Sequence, residues 1–290
     1  MPMPTKTATL MAPAKINLHL RILGLRQDGY HELRTLFHPV STLCDTLAVE
    51  PGPDGDFYLR CPDNPALEGP SNLVYRAWKA YGEATGFQPG LFVTLTKRIP
   101  MGGGLGGGSS DAAAMLRHLQ SLAADRALAP DRLNAMAARL GADVPFFLMD
   151  GPAMAEGIGE RLTPAPVNLS GLTLVLACPD IHVDTAWAFR AFDTAARLEP
   201  REFLTTSALN TKNASPVSPL PIVNDFEPVV FQAHPRLREI KEKLIRDRAS
   251  AAAMSGSGAS LFGLFRDRGV GVSAARALER EGVSVHLQTL

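Results

Sequence analysis

The stretch Pro100-Met101-Gly102-Gly103-Gly104-Leu105-Gly106-Gly107-Gly108-Ser109-Ser110 places six of the chain's 25 glycines in seven consecutive residues. Before it, residues 91–96 alternate apolar and β-branched side chains and predict a strand. After it, Ala112, Met115, Leu116, Leu119 and Leu122 recur at helical spacing, with Ser109 or Ser110 where an N-cap is expected. Glycine lets backbone N–H groups turn inward and lets a ligand approach the main chain closely. A helix N-terminus adds unsatisfied N–H groups and the positive end of a dipole. Together these predict an anion cradle suited to a di- or triphosphate. The two serines can donate to phosphate or ligate magnesium, and Lys97 and Arg98 add positive charge upstream. A flexible linker would also be glycine-rich, but linkers do not usually join a good strand to a capped helix.

Two familiar phosphate loops do not account for this stretch. A Walker A loop needs Gly-Lys-Ser/Thr at its end, whereas Gly108 runs straight into Ser109. The dinucleotide pattern GxGxxG is present at Gly102, Gly104 and Gly107, but so dense a glycine run produces it almost automatically. A dinucleotide loop also follows its strand directly, and here Lys97-Arg98-Ile99-Pro100 intervenes.

Working outward, residues 15–23 alternate Ile16, Leu18, Leu20 and Ile22 with Lys15, Asn17, His19 and Arg21, the pattern of a half-buried strand. Further strands are expected at 43–49 and 57–61, and a helix capped by Ser71 follows them. Another helix opens at Pro130 and closes at Gly141, and Gly157 and Gly159 suit a turn between short strands. Residues 163–171 hold two prolines and read as the boundary between domains at 1–165 and 166–290. Beyond it come strands at 172–178, 261–265 and 283–287 and helices at 185–197, 234–248 and 272–281. Residues 205–221 read as an irregular loop. This mixed order favours an α+β fold over a doubly wound sheet.

Composition limits the function. The 290 residues suit about two domains at roughly 150 residues each. Lys plus Arg and Asp plus Glu both number 29, a balance that argues against a nucleic-acid binder. No apolar run approaches the roughly 18–20 residues of a membrane span, so a soluble cytoplasmic protein with no membrane partner is expected. Cys44, Cys61 and Cys178 form no CxxC pair, and the seven histidines form no HExxH pair, so disulfides and a transition-metal site are not expected.

Other constellations carry less meaning alone. Lys15 could be a solvated edge-strand charge and Asp143 a helix cap. In phosphoryl transfer both have work: a carboxylate takes the acceptor hydroxyl's proton, and a nearby lysine keeps it ionised and offsets developing negative charge. Asp28-Gly29-Tyr30-His31 joins a turn to an aromatic ring and an imidazole, which could stack on and read a nucleobase or could simply pack a hairpin. Asn224 could cap a helix, and residues 254–260 form a second Gly/Ser loop that is as readily a tight turn.

The set resembles the GHMP kinases, the superfamily of galactokinase, homoserine, mevalonate and phosphomevalonate kinases. The likeness rests on Pro13-Ala14-Lys15-Ile16-Asn17-Leu18, the Asp28–His31 turn, the whole 100–110 loop, Gly141-Ala142-Asp143-Val144-Pro145, Glu156-Gly157-Ile158-Gly159-Glu160, Asn224-Asp225-Phe226-Glu227-Pro228 and Ser255-Gly256-Ser257-Gly258-Ala259. The turn and the Gly-Ala-Asp-Val-Pro segment point to the branch acting on 4-diphosphocytidyl-2-C-methyl-D-erythritol. The resemblance implies a ribosomal-protein-S5-domain-2-like ATP domain followed by a ferredoxin-like domain. It implies phosphorylation of that alcohol's 2-hydroxyl with ATP and Mg²⁺. It implies Lys15 and Asp143 as catalytic pair, residues 100–110 as phosphate loop, and Asn72 and Lys97 near the adenosine. Tyr30, His31 and Phe189 would hold the cytosine and Asn17 the erythritol. Ser109, Ser110, Asp111 and Glu156 remain alternatives for a magnesium ligand, and monomer and homodimer both remain open.

Overall fold

The computed structural model describes residues 7–53, 55–198 and 222–290. They form two compact units, and neither is one run of sequence. The first draws on Met1–Ile16, Phe37–Met101 and Leu105–Val167; the second draws on Asn17–Leu36, Gly102–Gly104 and Asn168–Leu290. A division at residue 165 follows chain order, and the compact units do not. The cause lies in two long strands, β1 (Ala8–Leu25) and β2 (His31–Pro51), of 18 and 21 residues. Ordinary strands have about 3–10 residues. Each of these two gives residues to both units, as does the glycine loop.

The first unit continues with β3 (Phe57–Arg60), α1 (Leu73–Thr85), β4 (Leu91–Thr96), α2 (Gly107–Leu122), α3 (Pro130–Leu140), β5 (Ala153–Gly157) and β6 (Arg161–Pro164). Its sheet runs β3-β4-β2-β5-β6, with β1 paired to β2. β3 lies parallel to β4, and β4 lies antiparallel to β2 with Thr46 opposite Thr96. The apolar stripe of α1 (Val74, Ala77, Trp78, Tyr81) and that of α2 (Ala112, Met115, Leu116, Leu119) share one core with Leu47, Val49, Val93 and Leu95. That periodicity is the one legible in the sequence. The caps differ from expectation. Asn72, not Ser71, caps α1, its Oδ1 accepting from Val74 N at 2.9 Å. Gly106, in the left-handed region, precedes α2, so Ser109 and Ser110 belong to its first turn.

The second unit adds β7 (Thr173–Cys178), α4 (Thr185–Leu198), α5 (Glu227–Ala233), α6 (Pro235–Arg246), β8 (Ala251–Met254), β9 (Leu261–Phe265), α7 (Arg268–Arg280) and β10 (Ser284–Thr289). Its antiparallel sheet runs β10-β7-β9-β8. Leu20 and Ile22 of β1 enter its core with Phe226, Leu237, Ile240 and Leu244. α5 begins beside the Asn224 segment expected to cap a helix, but Phe226 is its N-cap and Asn224 Oδ1 instead accepts from Phe226 N at 2.9 Å, while β8 carries no clear signal because it is mostly alanine, a weak strand former. α7 starts at Arg268, earlier than expected, because the Asp267 side chain caps it ahead of Gly269 and Gly271. The loop expected at 205–221 lies outside the described residues. All three cysteines are free, and no described helix is long and apolar enough to cross a membrane.

Candidate active site

β1 is not half-buried along its middle. Lys15, Asn17 and His19 are as buried as the leucines and isoleucines between them. Burying polar groups costs free energy unless they find partners, and the partners define two clusters.

In the first unit, Lys15 N donates to Leu105 O at 3.0 Å, tying the strand to the glycine loop. Lys15 Nζ lies 3.4 Å from Asp143 Oδ2 and 4.9 Å over the Phe37 ring. Asp143 sits in the turn after α3, where Val144 N donates to Gly141 O. Its side chain is 29% exposed and that of Lys15 only 4%, so the carboxylate faces outward from a buried ammonium. Gly106 has φ +72° and a Cβ there would press on the Phe147 ring and on Lys15 Cγ, at 3.0 and 3.2 Å. The loop can therefore reach the lysine stem only as glycine. Gly107, Gly108, Ser109 and Ser110 follow as the first turn of α2, their N–H groups at its positive end. Pro100 and the exposed Met101 lead into the loop.

Lys97 is placed differently from what a bare ligand contact requires. Its ammonium is clamped between the buried carboxylates of Asp45 and Asp111. Asp45 also accepts from Arg98 N at 2.5 Å and Ile99 N at 2.8 Å, so one carboxylate fixes the chain entering the glycine loop. Burial first, then Asp45 beside it, pushes the Asp111 carboxyl up to about 7. Ser110 Oγ and Asp111 Oδ1 are buried without a hydrogen-bond partner. Two orphaned hard oxygens next to a phosphate cradle suit a magnesium ion carried with a nucleotide. Asn72 is taken up by its capping bond and by donation from Nδ2 to Leu67 O at 2.8 Å.

In the second unit, Asn17 Nδ2 donates to Thr35 Oγ1 at 2.7 Å and Asn17 N to Ser255 Oγ at 3.2 Å. Ser255 Oγ donates to Gly104 O at 2.9 Å. Gly104 has φ +72°, and a Cβ there would lie 2.0 Å from Ser255 O. Asn224 Nδ2 donates to Met254 O and Gly256 O, pinning the same Gly/Ser loop. Asn17 is thus a buried brace of residues 102–104 and 254–256.

The Asp28–His31 turn projects Tyr30, 60% exposed. His31 does the opposite. Its ring stacks on Phe189 at 4.5 Å and 20°, and its Nε2 lies 2.7 Å from Asp193 Oδ1. Phe189 meets Phe226 edge-on at 4.9 Å. No base fits between the stacked rings of His31 and Phe189.

The sequence reading does not single out Asp45 or Asp193, and it holds Asp111 only as one of four alternatives for a magnesium ligand. A signal existed for each: an acid inside an apolar strand, an acid just after a phosphate loop, and an acid one helical turn beyond Phe189.

Comparison with known proteins decides the family. Residues 72–151 match the GHMP kinases N terminal domain and residues 206–284 the GHMP kinases C terminal family. The 4-diphosphocytidyl-2-C-methyl-D-erythritol kinase of Solidesulfovibrio magneticus is 45% identical, covering 100% of this chain and 99% of that protein. That of Nitratidesulfovibrio vulgaris is also 45% identical, over 97% and 98%.

The chain belongs to the 4-diphosphocytidyl-2-C-methyl-D-erythritol kinase family.

It is an ATP-dependent phosphotransferase of the GHMP class. A crystal structure of 4-(cytidine 5'-diphospho)-2C-methyl-D-erythritol kinase is 37% identical with a TM-score of 0.76, covering 97% of this chain and 98% of that one. Homoserine kinase from Cytophaga hutchinsonii, at 16% identity and TM-score 0.69, shares the fold. The α+β kinase fold expected from the motifs is the one found.

Proposed function

We propose that the chain transfers the terminal phosphoryl group of ATP to the 2-hydroxyl of 4-diphosphocytidyl-2-C-methyl-D-erythritol, giving the 2-phosphate and ADP in non-mevalonate isoprenoid biosynthesis. One observation carries the chemistry: Asp143 stands beside buried Lys15, and the backbone of Lys15 is bonded to the glycine loop. Asp143 accepts the proton of the attacking hydroxyl. Lys15 offsets charge on the group in transfer. The N–H groups of residues 101–109 bind the phosphates without adding net charge. Ser110 and Asp111 offer oxygens to magnesium, which when bound with ATP neutralises phosphate charge.

Asn72 and Lys97 serve the adenosine side by shaping backbone, Asn72 by starting α1 and Lys97 by anchoring the loop entry. Tyr30 stacks on the cytosine and His31 hydrogen-bonds its edge. Phe189 supports the base pocket by stacking on His31, and Asn17 lines the erythritol side. The enzyme works in the cytoplasm on small molecules alone, as a monomer or homodimer.

Incubation with ATP, Mg²⁺ and the cytidyl diphosphate alcohol should yield ADP and a phosphorylated alcohol, with homoserine and mevalonate inert. No product from the cytidyl alcohol would remove this reading.

A further inference from the structure

A cavity of about 460 Å³ opens beside α2 within the first unit, inside the roughly 300–1,000 Å³ range of small-molecule pockets. Neither Lys15 nor Asp143 lines it. Its walls are mostly apolar, with Pro39, Phe146 and Phe147 among them. From α2 it takes Ser110, Ala114 and Arg117, spaced four and then three residues apart and so on one face of the helix.

Two donors on that face are not fully used. Ser110 is 1% exposed, and its hydroxyl has no hydrogen-bond partner. An orphaned hydroxyl in apolar surroundings is costly, and a ligand that accepts from it removes the cost. Arg117 donates from Nε to Phe147 O at 3.1 Å and from Nη2 to Met149 O at 3.2 Å, which holds one wall of the cavity in place. Among the described residues its Nη1 has no hydrogen-bond partner. Its ion pair with Asp150 is 3.4 Å long, and the Asp150 side chain is 98% exposed. A pair so open to water is weak and leaves the guanidinium charge available.

Ser110 and Arg117 stand about 10 Å apart along the helix axis, with the small Ala114 side chain between them. We propose that this cavity is a binding site for a small amphipathic carboxylate. Its apolar chain lies over Ala114 and against the phenylalanines. An oxygen at one end accepts from the Ser110 hydroxyl, and the carboxylate at the other end meets Arg117. Donating its proton leaves the Ser110 oxygen its lone pairs, so the site is compatible with the magnesium role given above and does not depend on it.

The test titrates octanoate carrying a hydroxyl on its terminal carbon into the nucleotide-free protein by isothermal calorimetry. A Kd at or below about 1 mM is expected for a ligand of this size. Plain octanoate lacks the oxygen for Ser110, and octanol lacks the carboxylate for Arg117, so each should bind about threefold or more weakly. Ala114→Phe sets a ring across the space between the two donors and should abolish binding. Cys44, a half-buried thiol that also lines the cavity, gives a reading that needs no variant. With the hydroxy acid at about ten times its Kd, alkylation of Cys44 by iodoacetamide should slow by about tenfold, as mass spectrometry of the Cys44 peptide would report. Absence of binding to the unmodified protein would overturn the proposal. So would octanol binding as tightly as the hydroxy acid, an affinity untouched by Ala114→Phe, or an alkylation rate that the ligand leaves unchanged. No arm reads turnover of the cytidyl alcohol, so an enzyme inert towards that alcohol would remove the function above and leave the site standing.

Discussion

Lys15 Nζ lies 3.4 Å from Asp143 Oδ2, a buried ammonium facing a carboxylate that remains open to an incoming hydroxyl. Asp143→Asn keeps the shape and removes the base. Turnover should fall by roughly 10²–10⁴-fold, the usual contribution of a positioned general base. ATP affinity should hold within about threefold, since the loop proposed to bind phosphate is untouched. Single-turnover rates and nucleotide titration check the two halves, and lost ATP affinity with preserved turnover would contradict the assignment.

Tyr30 is exposed in the turn leading into β2, and its removal should act on one substrate only. Tyr30→Ala should raise KM for the cytidyl alcohol by about tenfold or more, in line with roughly 1–3 kcal/mol for base–aromatic stacking. KM for ATP should stay near its original value. Equal rises in both would remove Tyr30 from the base pocket.

Asp45 accepts from Lys97 and from two backbone N–H groups at the entry to the glycine loop. Asp45→Ala leaves those donors buried and should cost about 3–5 kcal/mol in urea unfolding. Asp45→Asn keeps the acceptor for the backbone and should cost about 1–3 kcal/mol. Equal losses would show that the backbone bonds contribute nothing beyond the charge pair.

Asp111 gives stability a dependence on pH. Burial raises its carboxyl from an ordinary 3.8 to about 7 in the folded protein. The folded state then holds a proton that the unfolded state releases, so this group's stabilisation is fully present below pH 3.8 and is lost as pH climbs towards 7. Asp111→Asn should flatten the stability profile over that window. Parallel slopes for the variant and the parent, measured by chemical denaturation at each pH, would refute the shift.

Much of this architecture was legible from periodicity and glycine placement. β4 and β9 fall on the residues expected, and α1, α2, α3 and α6 bury the stripes that their spacing displays. The length of β1 and β2 was not legible, because His31 to Val40 carries no clean alternation. The likeness of motifs raised Lys15 and Asp143, since neither alone rises above a surface charge or a cap, whereas the glycine loop already reads as an anion cradle by itself. Asp45 and Asp193 carry only weak signals in sequence, and Asp111 stands there only as one magnesium alternative among four. Each is defined by partners that only folding brings near: Lys97 for the first two, and His31 for the third.

The interleaving of β1, β2 and the glycine loop also governs how the chain can be divided. A gene fragment stopping after Val167 still encodes Asn17–Leu36 and Gly102–Gly104, parts that complete the other unit. A fragment starting at Asn168 lacks Leu20, Ile22 and the Asp28–His31 hairpin, and with them part of its apolar interior. Neither half is an autonomous cloning unit. Expressed alone, each fragment should be insoluble or unfolded.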